Sequence, residues 1–176
     1  MYINMPTERN MAKVKNQQKE MLTFEEAVKA TPDVSTGYRK GVEAFGEYKS
    51  KIKVPDSKKI NGSLDIDAMT VELYPETNRW DYAICYDSEV FYIEIHPACT
   101  SEVSQMLKKL NWLKSWLVTK APAIDKLTTK TKQPYYWIQS SNCKIPTHMP
   151  QYKQIVQYKI RPIAIWDYNI ICKQAK

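Results

Sequence analysis

The side chains best suited to chemistry are Asp81, Glu94 and His96, all within the stretch RWDYAICYDSEVFYIEIH that runs from Arg79 to His96. A pair of carboxylates can hold a hard divalent cation through oxygen, and a neighbouring imidazole can take up a proton near neutral pH. Trp80 to Tyr86 and Val90 to His96 are alternating runs of β-branched and aromatic residues around a polar break at Asp87, Ser88 and Glu89, which predicts a β-hairpin. Because successive strand side chains point to opposite faces, Asp81 shares a face with Ala83 and Cys85, and Glu94 shares one with Tyr92 and His96. Pairing in register sets Asp81 and Glu94 side by side at one end of the sheet, with His96 one step beyond.

Other elements must hold that hairpin in place. Pro97 lacks an N–H and stops the ladder, and Ser101 can cap a helix from Glu102 to about Thr119. Val103, Met106, Leu107, Leu110, Leu113 and Leu117 form its apolar stripe, while Gln105, Lys109, Trp112 and Trp116 fall on a different face. Trp112 and Trp116 are a partner patch if exposed, and core if packed, the latter being favoured for at least one. Upstream, Thr23 with Glu26 is a capping box that opens a helix, which Thr31-Pro32-Asp33 interrupts. A second helix is predicted from about Ser35 to Lys51, with Glu43 and Glu47 projecting from it. Lys53 to Asn61 reads as a basic loop, Asn61-Gly62 as a turn, and a strand follows, centred on Met69 to Tyr74. Asp65 and Asp67 would share a face there, as a solvated edge in preference to further acids at the site. Downstream come a basic loop or short helix from Lys120 to Lys132, a strand at Tyr135 to Ile138, and an edge strand from Tyr158 to Trp166 that contains Pro162. His148, between prolines, reads as a loop residue.

With 176 residues, 43% hydrophobic and 26% charged, the chain suits a single globular domain over residues 21–176, preceded by a polar, basic arm over residues 1–20. The net charge of +7 favours an anionic partner such as nucleic acid, and twelve tyrosines with five tryptophans could supply stacking surfaces for bases. Cys85, Cys99, Cys143 and Cys172 form no CxxC pair, which argues against a zinc knuckle and makes reduced thiols the expectation. The absence of an apolar leader or a long apolar run points to an intracellular protein rather than one in a membrane.

The succession of helix, strand, a hairpin carrying Asp81 on one strand and Glu94-Ile95-His96 at the end of the next, long helix and strand resembles the αβββαβ core of the PD-(D/E)xK nuclease superfamily, over roughly residues 35 to 140. The resemblance implies an α/β restriction-endonuclease-like fold, a mixed central sheet flanked by helices. It also implies that Asp81 and Glu94 bind Mg2+ or Mn2+. His96 then stands where that family has a lysine, Glu43 resembles its additional helical acid, and Gln105 or Lys109 resembles the polar residue that the following helix turns toward the site. Histidine replaces a fixed positive charge by a group with an unperturbed pKa near 6.5, so His96 would act as a base or a metal ligand and tilt preference toward Mn2+.

The resulting expectation is a metal-dependent nuclease that hydrolyses phosphodiesters in DNA, or secondarily RNA. In it Asp81, Glu94, His96, Glu43 and Gln105 form the catalytic set, and Lys58, Lys59, Lys109 and Lys126 contact the nucleic acid. A homodimer would bring two such sites to a duplex. The alternatives are a non-catalytic nucleic-acid-binding or protein-interaction module on the same scaffold, with Trp112 and Trp116 as its contact patch, or a domain in which Glu94 and His96 only pair with each other or with an arginine.

Overall fold

The computed structural model describes residues 21–174, so the basic arm expected over residues 1–20 lies outside the described residues. It is a mixed α/β structure. A five-stranded sheet has the order β1 (Tyr38–Arg39), β3 (Ile60–Asp65), β4 (Tyr82–Tyr86), β5 (Glu89–His96), β6 (Tyr135–Gln139). All neighbours are antiparallel except β5 and β6. β2 (Ile52–Lys53) and β7 (Trp166–Asp167) form a small parallel pair. The helices are α1 (Phe24–Lys29), α2 (Ile66–Thr70), α3 (Val103–Thr119), α4 (Pro122–Asp125), α5 (Pro150–Gln157) and α6 (Tyr168–Gln174). No helix among the described residues is long and apolar enough to cross a membrane.

The expected hairpin forms with Tyr86 opposite Glu89, leaving Asp87 and Ser88 as a two-residue turn, both at positive φ (51° and 66°). Such turns match the twist of the strands but usually recruit Asn or Gly. Here Asn61 Oδ1 accepts the Ser88 N–H at 2.9 Å and the Lys59 carbonyl accepts the Asp87 N–H at 2.9 Å, so the start of β3 and the residue before it hold the turn from outside. Gly62 sits at φ 140° where the β3 register shifts. A Cβ there would lie 2.3 Å from the Tyr38 ring, so only glycine lets β1 approach.

Alternation along the strands divides the core in two. Ala83, Cys85, Val90, Tyr92 and Trp137 face α1, α3 and α4, burying Val28, Met106, Leu110, Leu113 and Ile124. Ile84, Tyr86, Phe91, Ile93 and Ile138 face the other way, onto Phe45, Trp166 and Ile171. Full burial of side chains this large contributes about 1.5–3 kcal/mol each. α3 is the crossover that parallel pairing of β5 and β6 requires. Its apolar stripe is the expected one, and the capping box of α1 is present, with Thr23 N–H donated to Glu26 Oε2 at 2.9 Å.

Several expectations are corrected. The helix expected from Ser35 to Lys51 is instead β1 and a 3-10 segment, Glu43–Lys51, because Gly41 and Gly46 adopt φ near +54° and +53° and break an α-helical ladder. The strand centred on Met69 to Tyr74 lies earlier, at β3, and Asn61-Gly62 is inside it rather than a turn. Asp65 Oδ1 then accepts the Ala68 N–H at 2.8 Å and converts strand to helix α2. Tyr158 to Trp166 is no strand: Lys159 is at φ 57°, Pro162 cannot donate, and only Ile163 bridges to Ile138 before β7. α5, with Pro150 in its first turn, lies just beyond the loop that carries the exposed His148. Cys99 and Cys143 are not reduced thiols but a disulfide. Parallel pairing of His96 with Gln139 sends the two following loops side by side, with Cα atoms 5.1 Å apart. Trp112 and Trp116 stack on each other at 5.9 Å, Trp116 is buried and its Nε1 donates to Asp33 at 2.9 Å, so they form no exposed patch.

Candidate active site

Continuing the β4–β5 register one step past Tyr82–Ile93 sets Asp81 opposite Glu94. The two residues lock each other in place: Glu94 Oε2 accepts the Asp81 N–H at 3.0 Å, and Asp81 Oδ2 accepts the Ile95 N–H at 2.9 Å. A third group enters from α3. Lys109 Nζ donates to Glu94 Oε1 and lies 3.3 Å from Asp81 Oδ1. The Glu94 side chain is 0% exposed, that of Lys109 12% and that of Asp81 19%. The sequence offers Lys109 both as the polar residue that α3 turns toward the site and as a nucleic-acid contact; in the fold it bridges the two carboxylates.

Two carboxylates against one ammonium leave surplus negative charge in a poorly hydrated place. Burial, reinforced by the charge of Asp81, holds the Glu94 carboxyl well above the ordinary glutamate range despite the opposing pull of Lys109. Burial also disfavours the Lys109 ammonium, but Glu94 and Asp81 outweigh it and raise its pKa. The cluster therefore binds protons more tightly than its parts would in water. A hard divalent cation would meet the same deficit, and magnesium commonly uses only one or two carboxylates, completing its shell with water and substrate oxygens. Asp81 and Glu94 fit that role as a pair. Among the described residues no group of three or more His, Cys, Asp or Glu side chains is arranged to hold a metal.

His96 joins this end of the sheet on the same face as Glu94. Its Nε2 is 2.8 Å from Glu102 Oε2 and its Nδ1 3.9 Å from Glu94 Oε1. The hydrogen bond from His96, with a second from Ser101, lowers the Glu102 pKa, so Glu102 is an ionised acceptor and Nε2 carries the hydrogen. In the neutral ring Nδ1 then keeps its lone pair, on the side of Glu94. Glu102 is the site residue that sequence reading missed. It is separated from His96 by the turn into α3, and no local spacing joins them.

The remaining expected site residues lie apart. Glu43 is exposed at the start of its 3-10 segment, and its side chain has no hydrogen bond or ion pair among the described residues. It is Tyr48, further along that segment, whose hydroxyl is pushed up by burial, by Glu47 and by Asp81, and which therefore lies in the field of the site. Gln105 is exposed, one turn before Lys109 on α3. Lys58, Lys59 and Lys126 are exposed near the turn end of the hairpin, with Lys59 3.2 Å from Asp87. Asp65 and Asp67 are not a solvated edge: Asp65 caps α2, and Asp67 pairs with Arg79 at 2.8 Å. Burial, then the charges of Asp67 and Asp81, raises the Asp65 carboxyl.

No protein-family model matches the chain, and no match was found among curated proteins or solved structures.

Proposed function

We propose that the chain is a divalent-metal-dependent nuclease on a PD-(D/E)xK-like scaffold, with Asp81, Glu94 and Lys109 at its centre. The observation that carries this reading is the meeting of those three side chains from three separate positions: the entry to β4, the end of β5 and the second turn of α3. The part of the expected order that supports the scaffold is three antiparallel strands, β3, β4 and β5, followed by the crossover helix α3 and the parallel strand β6, with α1 in place of the expected helix from Ser35 to Lys51. A fixed positive charge reaches the two carboxylates from a lysine on the next helix, Lys109.

Each residue then has a task. Asp81 and Glu94 would hold Mg2+ or Mn2+, which supplies Lewis-acid polarisation of the phosphate and an acidified water. Lys109, kept charged by both carboxylates, offers a point cation to a phosphate oxygen as negative charge builds in the transition state. His96 accepts the proton of the attacking water at Nδ1, with the ring oriented by Glu102 through Nε2. The complete burial of Glu94 favours a second reading, in which the same ion pair only fastens α3 to the sheet and the chain binds nucleic acid without cutting it.

Labelled single-stranded and duplex DNA incubated with Mg2+, Mn2+ or EDTA decides between them. Nuclease action gives cutting that EDTA abolishes and that Asp81→Asn lowers by at least about 100-fold. An intact substrate under every metal, with folded protein, leaves the fastening role.

A further inference from the structure

Beside the outer edge of β6, on the far side from β5 and next to the short bridge from Ile138 to Ile163, lies a groove of about 1120 Å³ that the carboxylate site does not use. Lys130, Lys132, Lys144, Lys159 and Arg161 line it, and no acidic residue does. Lys132 is committed to Glu89, but the other four have no acidic partner among the described residues. Four such charges converging on one concavity repel each other, a cost that polyanion binding relieves. The basic residues come from three separate parts of the chain: the loop before β6, the loop after it, and the turn beyond α5.

Two further features narrow the ligand. Tyr152 of α5 is half-buried in the groove wall and pairs with no other aromatic ring among the described residues, unlike Tyr135, which stacks on Tyr92 at 5.7 Å. A basic track beside a partly exposed aromatic ring that stacks on no other is the arrangement that receives unpaired bases, whereas a duplex keeps its bases inside and offers phosphates alone. The groove also reaches Ala98 and Gln139; Gln139 is the residue paired with His96 across the sheet. One end therefore opens beside the candidate active site.

We propose that this groove binds single-stranded nucleic acid, with Lys130, Lys144, Lys159 and Arg161 on successive phosphates and Tyr152 stacked on a base, and that it carries the strand to or from the carboxylate site. Its purpose rests on the nuclease reading, but its occupancy does not. The fluorescence anisotropy of a labelled oligo-dT, titrated with the full chain in EDTA, separates the two, since no metal chemistry contributes.

Four phosphate contacts give a plot of log affinity against log salt with a slope of about −3 for a single strand. Lys144→Gln/Arg161→Gln removes two, making the slope shallower by about 1.4 and weakening binding at low salt by about tenfold or more. Tyr152→Ala weakens binding by about tenfold, and Tyr152→Phe, which keeps the ring, restores it. Asp81→Asn leaves affinity intact or raises it. The proposal is overturned if the double variant binds like wild type, if a duplex of matching length binds as tightly as oligo-dT, or if affinity is indifferent to salt. Tight binding by a protein that never cuts would retain the groove and remove the nuclease reading.

Discussion

Strand β5 carries a glutamate near each end, and each has a lysine partner, yet the two pairs are opposites. Glu89 accepts hydrogen bonds from Lys132, from Thr129 at 2.6 Å and from Thr131 at 3.3 Å, with its side chain 26% exposed. Burial opposes its charge, but these donors outweigh burial and lower its pKa. Glu94 has one lysine, one backbone N–H, no exposure and a second carboxylate beside it, and its pKa is raised. The first pair is a finished structural contact. The second is held by the fold in a state that favours an additional positive charge, and such unresolved electrostatics mark working sites more often than fasteners.

Substitutions sharpen that contrast. The largest effect is expected in catalysis: Lys109→Met lowers metal-dependent cleavage by about 100-fold or more, whereas Lys132→Met leaves it near wild type, as measured by initial rates on labelled DNA. Chemical denaturation gives the next effect. Lys109→Met alone costs about 3 kcal/mol, because it strands Glu94 in the interior, and adding Glu94→Gln recovers most of that loss. A double variant no more stable than Lys109→Met would break the comparison by making the pair a net stabiliser.

The pH dependence of stability separates the glutamates by sign. A raised folded pKa means that the native state binds more protons, so the Glu94 contribution falls as pH rises above the unfolded value of about 4.3. A lowered one means the reverse: the Glu89 contribution is present above that value and is lost as pH falls through the depressed folded pKa. Thermal melts from strongly acidic to neutral pH should therefore lose a downward trend above the unfolded value in Glu94→Gln and a drop below it in Glu89→Gln. Thr129→Ala, which removes one donor from Glu89, is expected to cost only about 1 kcal/mol and to leave cleavage unchanged.

What could be read in advance follows from how local each signal is. The hairpin, the stripe of α3 and the Thr23 cap are written in residues a few positions apart, and all three form. The segment from Ser35 to Lys51 failed because two glycines weighed more than its apolar spacing, and β3 ended early because Asp65 is an N-cap. Lys109 was half legible. It lies three residues after Met106 and four before Leu113, both buried, which marks a lysine on the edge of the packed face rather than the solvent face. The Glu102 contact depends on how the turn from β5 into α3 folds back on His96, and the Cys99–Cys143 bond and the basic groove depend on which loops the parallel β5–β6 pairing brings together; no residue pattern marks either.

The most direct test is to compare Glu94→Gln with Glu89→Gln in one assay: cleavage of labelled DNA in Mn2+ by proteins shown to be folded. Loss of cutting in Glu94→Gln with near-normal cutting in Glu89→Gln is the expected result. Equal rates in the two variants, or no cutting by the wild-type chain, would contradict a catalytic role for the Asp81, Glu94 and Lys109 cluster.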